Sequence, residues 1–335
     1  MSTGRMTWGT RGFARQNSPT ALPSCWRNIW CPKRVQNNRG GVWQMIRFAD
    51  ESMREALRQL WHECFGDNND YVDLYFAQHD IARHTMVFID GETPVSMLSL
   101  LPMTVVTRAG ILPARYIYAV ATKASHRGRG ISTKMLEAAH KHMRQAGLKL
   151  SVLVPASGPL YNFYGKRGFE AAFYAGHTIV TRDQIPEYNG SFAVSESTAE
   201  EFMGIRENAF SGRTMFVRWD GDALSYRLTD TAFNGGETLT LTTGGARAVA
   251  VCYSRSGSVL VKELALDGMT IETALAILQR KYDAQEYHLR LPMDIECPYP
   301  LERVASGAAY WYDTDAKART FSTDGRAPYI SLVLD

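Results

Sequence analysis

The segment HRGRGIS, residues 126–132, sets two glycines and two arginines between an apolar run, YIYAVATKAS, and a stretch with helical spacing. The first N–H groups of a helix have no partner inside it, and the aligned peptide dipoles put partial positive charge there. An anion at such a point gains about 0.3–1 kcal/mol. Gly128 and Gly130 let the backbone come close, Arg127 and Arg129 add positive charge, and the segment holds no acidic residue. Together these suit a diphosphate. A nucleotide-hydrolysing P-loop needs Gly-Lys-Ser/Thr after its second glycine, whereas Ile131 and Ser132 follow here. A dinucleotide fingerprint sits after the first strand with an acid ~20 residues on, and neither condition is met. Taken alone, the loop reads equally as a helix start without a ligand and as a phosphate site.

Other reactive side chains group less well. Cys25, Cys31, Cys64, Cys252 and Cys297 are odd in number and mostly far apart, with neither zinc spacing nor a disulfide framework, so a reducing cytoplasm is expected. His126 adjoins the loop, either touching phosphate or lying exposed at a helix entrance. His140 and His142 have no metal spacing to an acid or cysteine, and no metal is expected. The aromatic run YWYD, 310–313, is expected to pack rather than to form a stacking platform.

The elements that must position the loop follow from periodicity. Ser52 and Glu55 have capping-box spacing, and Leu57, Leu60, Trp61, Cys64 and Phe65 share one face of a helix ended by Gly66. A second short helix covers 71–78. Two strands follow around Asp90 and Gly91 within 85–106, then a buried strand at 115–122. Ile131, Met135, Leu136, Ala139 and Met143 recur at helical spacing until Gly147, before a strand at 148–155. Such a strand–helix–strand crossover puts its strands parallel. A short helix within 157–170 and a strand at 171–182 complete a mixed α/β unit over 45–188. The periodicity lapses around 186–197, and 189–335 repeats a similar order, which hints at a degenerate duplication. Residues 327–335, APYISLVLD, alternate as a buried strand.

With 335 residues, about two domains are the natural expectation. Residues 1–44 differ from the rest, with seven Lys or Arg, no Asp or Glu and four of the seven tryptophans. Without those seven charges the formal +3 becomes −4, so the basic balance marks this segment and not a nucleic-acid-binding face. The segment is expected to be a disordered basic extension, with Met45 opening the first domain; the alternative is a tail that contacts a partner. No apolar run approaches the ~20 residues of a membrane-spanning helix. Neither nucleic acid nor membrane is expected as a partner, and a homo-oligomer is left open.

VATKASHRGRGIS resembles the acyl-CoA signature of the GCN5-related N-acetyltransferase (GNAT) family, Arg/Gln-x-x-Gly-x-Gly/Ala at a helix start. Arg127 takes its first position, Gly130 its glycine, and Ser132 its last small residue, where the family usually has Gly or Ala. FYGKRGFE, 163–170, resembles the family's Phe-Tyr-x-Lys-x-Gly-Phe segment, whose tyrosine lies near the coenzyme sulfur. The resemblance covers residues 46 to about 182, and the tandem arrangement is similar to the Eis-like (enhanced intracellular survival) subgroup. It implies a mixed α/β GNAT fold with a central mixed sheet, then a second, degenerate GNAT-like domain. It implies acetyl-CoA as co-substrate, held by Arg127, Gly128, Arg129, Gly130, Ile131 and Ser132, with pantetheine on the open strand edge at Val120, Ala121 and Thr122. The acceptor is an amine, on a small molecule or a peptide.

Direct attack needs a polarised thioester, a neutral amine and an acid for the departing thiolate. Backbone N–H near Val120 is expected to supply the first, and Tyr164 to be the general acid, against the alternative that it only packs beside Phe163. Many relatives place a glutamate on the strand before the loop, where this chain has Tyr116 and Tyr118. The resemblance offers the C-terminal carboxylate, that of Asp335, as base instead, against the alternative of a purely structural last strand. The second half has DGMT, 267–270, where the loop would stand, so it is expected to be non-catalytic. The rival class is an acyl-CoA-binding regulatory or scaffolding module without turnover.

Overall fold

Among the described residues the apolar runs pair into one mixed sheet of 14 strands. The computed structural model describes residues 35–36, 43–107, 110–213, 215–320, 328–332 and 334. The expected disordered extension lies outside the described residues except at 35, 36, 43 and 44, and Asp335 lies outside them as well. In chain order the elements are β1 Val35–Gln36, β2 Trp43–Phe48, α1 Arg54–Phe65, α2 Asn69–Gln78, α3 Ile81–His84, β3 Thr85–Asp90, β4 Thr93–Thr107, β5 Gly110–Thr122, α4 Ile131–Gln145, β6 Leu150–Leu153, α5 Gly158–Gly165 and β7 Glu170–Thr181. They continue with β8 Ala193–Glu196, α6 Ala199–Phe210, β9 Met215–Arg218, α7 Gly221–Phe233, β10 Glu237–Thr243, β11 Ala246–Arg255, β12 Ser258–Asp267, α8 Ile271–Tyr282, β13 Glu286–Pro292, β14 Glu302–Trp311 and α9 Thr314–Thr320.

Two parallel crossovers are present, β5–α4–β6 and β12–α8–β13, each embedded in otherwise antiparallel pairing. The sheet order is β1-β2-β3-β4-β5-β6-β14-β7-β13-β12-β11-β10-β8, with β9 on β4. β14 therefore lies between β6 and β7, and β7 in turn pairs with β13, so each half lends a strand to the other. This interlocks the two halves of the chain.

Burial follows the periodicities. On one sheet face α4 buries Ile131, Met135, Leu136, Ala139 and Met143 against Met86, Phe88, Leu98, Leu100 and Ile117. On the other, Leu57, Leu60 and Trp61 of α1 share a core with Phe202, Ile205 and Phe210 of α6, Trp219, and Tyr329, Ile330 and Leu334 near the chain's end. Each such large apolar side chain contributes roughly 1.5–3 kcal/mol on leaving water. α8 closes a third core over β11–β13.

Three local expectations are corrected. The first helix is not entered through a Ser52/Glu55 capping box: Asp50 accepts from Ser52 N and starts a 3₁₀ turn, 51–53, that runs into α1. Phe65 is exposed, because Gly66 turns the chain at once. Among the described residues 328–332 and 334, the expected last strand is not a regular one. Tyr329 makes one bridge with Phe216, Leu332 takes a left-handed φ of 54°, and neighbours of both parities, Tyr329, Ile330 and Ser331, are fully buried. Burial on both faces removed the advantage of alternation.

Candidate active site

β5 and the start of α4 create two irregularities side by side. On β5, Met97 pairs with Ala121 and Ser99 with Tyr118, so Leu98 faces two residues, Ala119 and Val120. This is a β-bulge, and Ala119 has φ 49°. A non-glycine residue held there costs roughly 1–3 kcal/mol and persists only where its surroundings impose it. On the other edge of β5 the parallel ladder with β6 ends at Tyr116 and Val152, while β5 runs on to Thr122. The strands splay where the resemblance implies a splay.

Beyond that opening, Gly128 and Gly130 have φ of 76° and 72°, a conformation that excludes most side chains. A Cβ on either would meet nothing within 4 Å, so the glycines serve the backbone path and face open space. Gly130 caps α4 with no side-chain hydrogen bond, and the first α-helical bond is Lys134 N to Gly130 O, 3.1 Å. The N–H groups of Ile131, Ser132 and Thr133 thus precede the first intrahelical donor. Arg127, Gly128, Arg129 and Gly130 are exposed, while Ile131 is buried and anchors the turn. This fits a diphosphate: open space, donor N–H groups and two exposed arginines belong to one loop.

The arginines also brace the loop. Arg127 Nε donates to Thr122 O, 3.0 Å, and Arg129 Nη2 to Ser125 O, 3.0 Å. A guanidinium has five N–H donors, so neither contact exhausts it. The fold brings up two carboxylates that the local sequence hides: Glu63 Oε1 accepts from Ala124 N at 2.7 Å, and Asp90 Oδ2 lies 3.3 Å from His126 Nε2. His126 is therefore held by Asp90 and by Ser125 Oγ, 2.8 Å. Of the residues expected to meet pantetheine, Val120 falls in the bulge, Ala121 O accepts from Ser96 Oγ at 2.6 Å, and Thr122 O accepts from Arg127.

Tyr164 sits on α5, its ring against Phe163 and Phe169 in the same core as Ile131 and Val120. Arg167 locks α5 onto the first turn of α4, donating to Thr133 Oγ1 at 2.7 and 3.0 Å while stacking on Phe163 at 3.5 Å. The sequence reading missed that clamp, and its only signal is the basic residue inside FYGKRGFE. Burial pushes the Tyr164 phenol up to about 12, against an opposing pull from Arg167. The phenol keeps its proton at neutral pH.

On the α1–α2 side the mouth is aromatic. Tyr116 and Tyr118 stack at 5.9 Å, Tyr118 Oη is 3.4 Å from Tyr71 Oη, and Phe233 of α7 lies 5.9 Å from Tyr71. Desolvation raises the phenols of Tyr118 and Tyr71 well above the usual range. Tyr116 Oη donates to Leu334 O, 3.3 Å, which brings the described end of the chain to the splay. Among the described residues no group of His, Cys, Asp and Glu could hold a metal ion, and no helix is long and apolar enough to cross a membrane.

A bulged strand that parts from its parallel neighbour thus lies beside an uncapped, glycine-led helix start. Residues 45–172 match the family model described as "Acetyltransferase (GNAT) domain". A search of curated proteins found no match. Among solved structures, the chain is similar to a GCN5-related N-acetyltransferase from Kribbella flavida (TM-score 0.65, 16% identity, 82% of this chain and 72% of that one). It is also similar to a probable N-acyltransferase of unknown function from Enterococcus faecalis V583 (0.66, 16%, 79% and 72%) and to Eis1 from Mycobacterium abscessus (0.62, 15%, 81% and 74%). At such identities the likeness is one of fold, and it extends well beyond residues 45–172 into the second half.

Proposed function

We propose that the chain is an acetyl-CoA-dependent N-acetyltransferase acting on a primary amine by direct attack, with its site in the unit 45–188 and a non-catalytic unit at 189–335. The observation that carries this reading is the bulge at Ala119–Val120 beside the uncapped N-terminus of α4. Bound acetyl-CoA supplies an activated thioester. Backbone N–H groups from Gly128 to Ser132 hold the diphosphate, with Arg127 and Arg129 offsetting its charge. Bulge N–H groups that have left the β4 ladder polarise the thioester carbonyl. Tyr164 Oη, protonated at working pH, donates a hydrogen bond to the departing thiolate.

The amine enters from the aromatic side and must lose a proton. Asp335, peptide-bonded to Leu334, is the proposed acceptor. An ordinary carboxylate pKa is about 3.5–3.9, so the carboxylate must be desolvated or act through water. The experiment is acetyl transfer by the purified protein across a panel of small and peptidyl amines. Transfer to at least one amine is expected. Saturable acetyl-CoA binding with no transfer to any would favour an acyl-CoA-responsive binding module instead.

A further inference from the structure

The segment before the chain's end is held more firmly than closing a sheet requires. Tyr329 N donates to Met215 O at 3.1 Å, and Val217 N donates to Tyr329 O at 3.2 Å. Arg290 Nη2 donates to Ile330 O at 3.3 Å, and Trp219 Nε1 to Ser331 O at 3.1 Å. Arg206 Nη2 donates to Ser331 Oγ at 3.1 Å. Leu332 then turns in the left-handed region, φ 54°, and Leu334 O reaches Tyr116 on β5. A leucine held there signals a path imposed by its surroundings.

At the centre of this anchorage is a buried ion pair from the second unit. Arg206 of α6 is 4% exposed and Glu263 of β12 is 0% exposed, and Arg206 Nε donates to Glu263 Oε1 at 2.8 Å. The same guanidinium donates to Val217 O at 2.9 Å and to Ser331. One side chain thus ties β12, β9 and the tail together. Buried ion pairs are often no more stabilising than apolar side chains of similar volume, so stability alone does not account for the pair. Its planar fork offers a fixed geometry to three segments at once. Trp219 carries that geometry on, since it holds Ser331 O and lies edge-on to Tyr116 at 5.8 Å.

We propose that Arg206 and Glu263 are positioning residues for acetyl transfer: from the second unit, they set where the chain's end lies against Tyr116 at the mouth of the splay. The inference rests on the acetyl-transfer reading. It gives the second unit, which lacks a coenzyme loop, a share in the first unit's chemistry.

The test replaces the pair by apolar residues of similar volume, Arg206→Met with Glu263→Leu in one protein, so that no charge is left buried and unpaired. Four quantities are compared with wild type: melting temperature, acetyl-CoA affinity, kcat and KM for the best amine of the panel, and amide exchange at Ser331, Leu332 and Leu334. The double variant is expected to stay folded and bind acetyl-CoA unchanged, with faster exchange at those amides and kcat lower by about 10- to 100-fold, the scale of a misplaced reacting group. Wild-type exchange and wild-type kcat in a folded double variant would overturn the proposal. Should the double variant not fold, Ser331→Ala, which removes one contact of Arg206, carries the same test with a smaller expected loss of kcat; unchanged kcat and exchange there would overturn it equally. A wild-type protein that acetylates no amine would sink the acetyl-transfer reading, while unchanged exchange in the variants would sink the positioning role independently.

Discussion

α4 and α8 each follow the strand that opens a parallel crossover, yet they finish their N-termini in opposite ways. α4 starts at Gly130 with no side-chain cap, between two arginines and open space. α8 starts at Thr270, whose hydroxyl accepts from Thr273 N at 3.2 Å. Three residues earlier Asp267 accepts from Arg247 at 3.0 Å and from Asn208 at 3.3 Å, so an acid stands just before this helix start. The strands themselves are alike. β12 also has a register shift, with Lys262 as the extra residue, and its parallel ladder with β13 ends at Val261 and Leu289. The second half therefore has a bulged strand of the same kind but satisfies its helix start internally. A cap stabilises a helix by about 1 kcal/mol. α4 forgoes it, and on the proposed reading its first donors meet the coenzyme instead.

The comparison breaks most sharply if α4 is made to look like α8. Gly130→Asp puts a carboxylate beside the N–H groups of Ser132 and Thr133, and acetyl-CoA affinity measured by calorimetry should fall at least about 100-fold with the protein still folded by circular dichroism. Next in size is Tyr164→Phe. No helix stands between β13 and β14, so the second unit has no counterpart of α5. Turnover should fall about 10- to 100-fold with acetyl-CoA affinity unchanged; equal turnover would reduce Tyr164 to packing.

A smaller effect separates the buried faces of the two helices. α8 buries only apolar residues, whereas α4 buries His140, bonded to Tyr312 Oη at 2.7 Å and lowered to about 4, chiefly by burial and then by Arg144. An unfolded histidine takes up a proton near pH 6.5, the folded one only near 4, so the unfolded chain binds more protons in that window and stability falls as pH drops through it. His140→Gln should flatten the fall in melting temperature between pH 6.5 and 4 relative to wild type; a parallel curve would contradict this. The smallest effect is Thr270→Ala, expected to cost about 1 kcal/mol in denaturant unfolding with acetyl-CoA affinity unchanged.

Periodicity made the local elements legible: the α4 stripe, the hairpin at Asp90–Gly91 and the left-handed glycines could be read because each depends on residues close in sequence. The exchange of β7 and β14 could not, because strand pairing across more than 100 residues leaves no mark in either strand's own pattern. Ala119 gives no warning of its bulge, since alanine is not a residue type that prefers positive φ. α7 was missed because its buried side includes Arg227 and Thr231 beside Leu224 and Tyr226, which blurs the apolar period. Glu63 and Asp90 were invisible at the loop for the same reason as β14: folding delivers them from a distance.

The central claim is that two similar units hold one coenzyme between them, at the start of α4. Calorimetric titration of acetyl-CoA into the purified protein tests it most directly. The account predicts one saturable site per chain, lost in Gly130→Asp and retained in Thr270→Ala. Two sites per chain, or one site that survives Gly130→Asp, would contradict it.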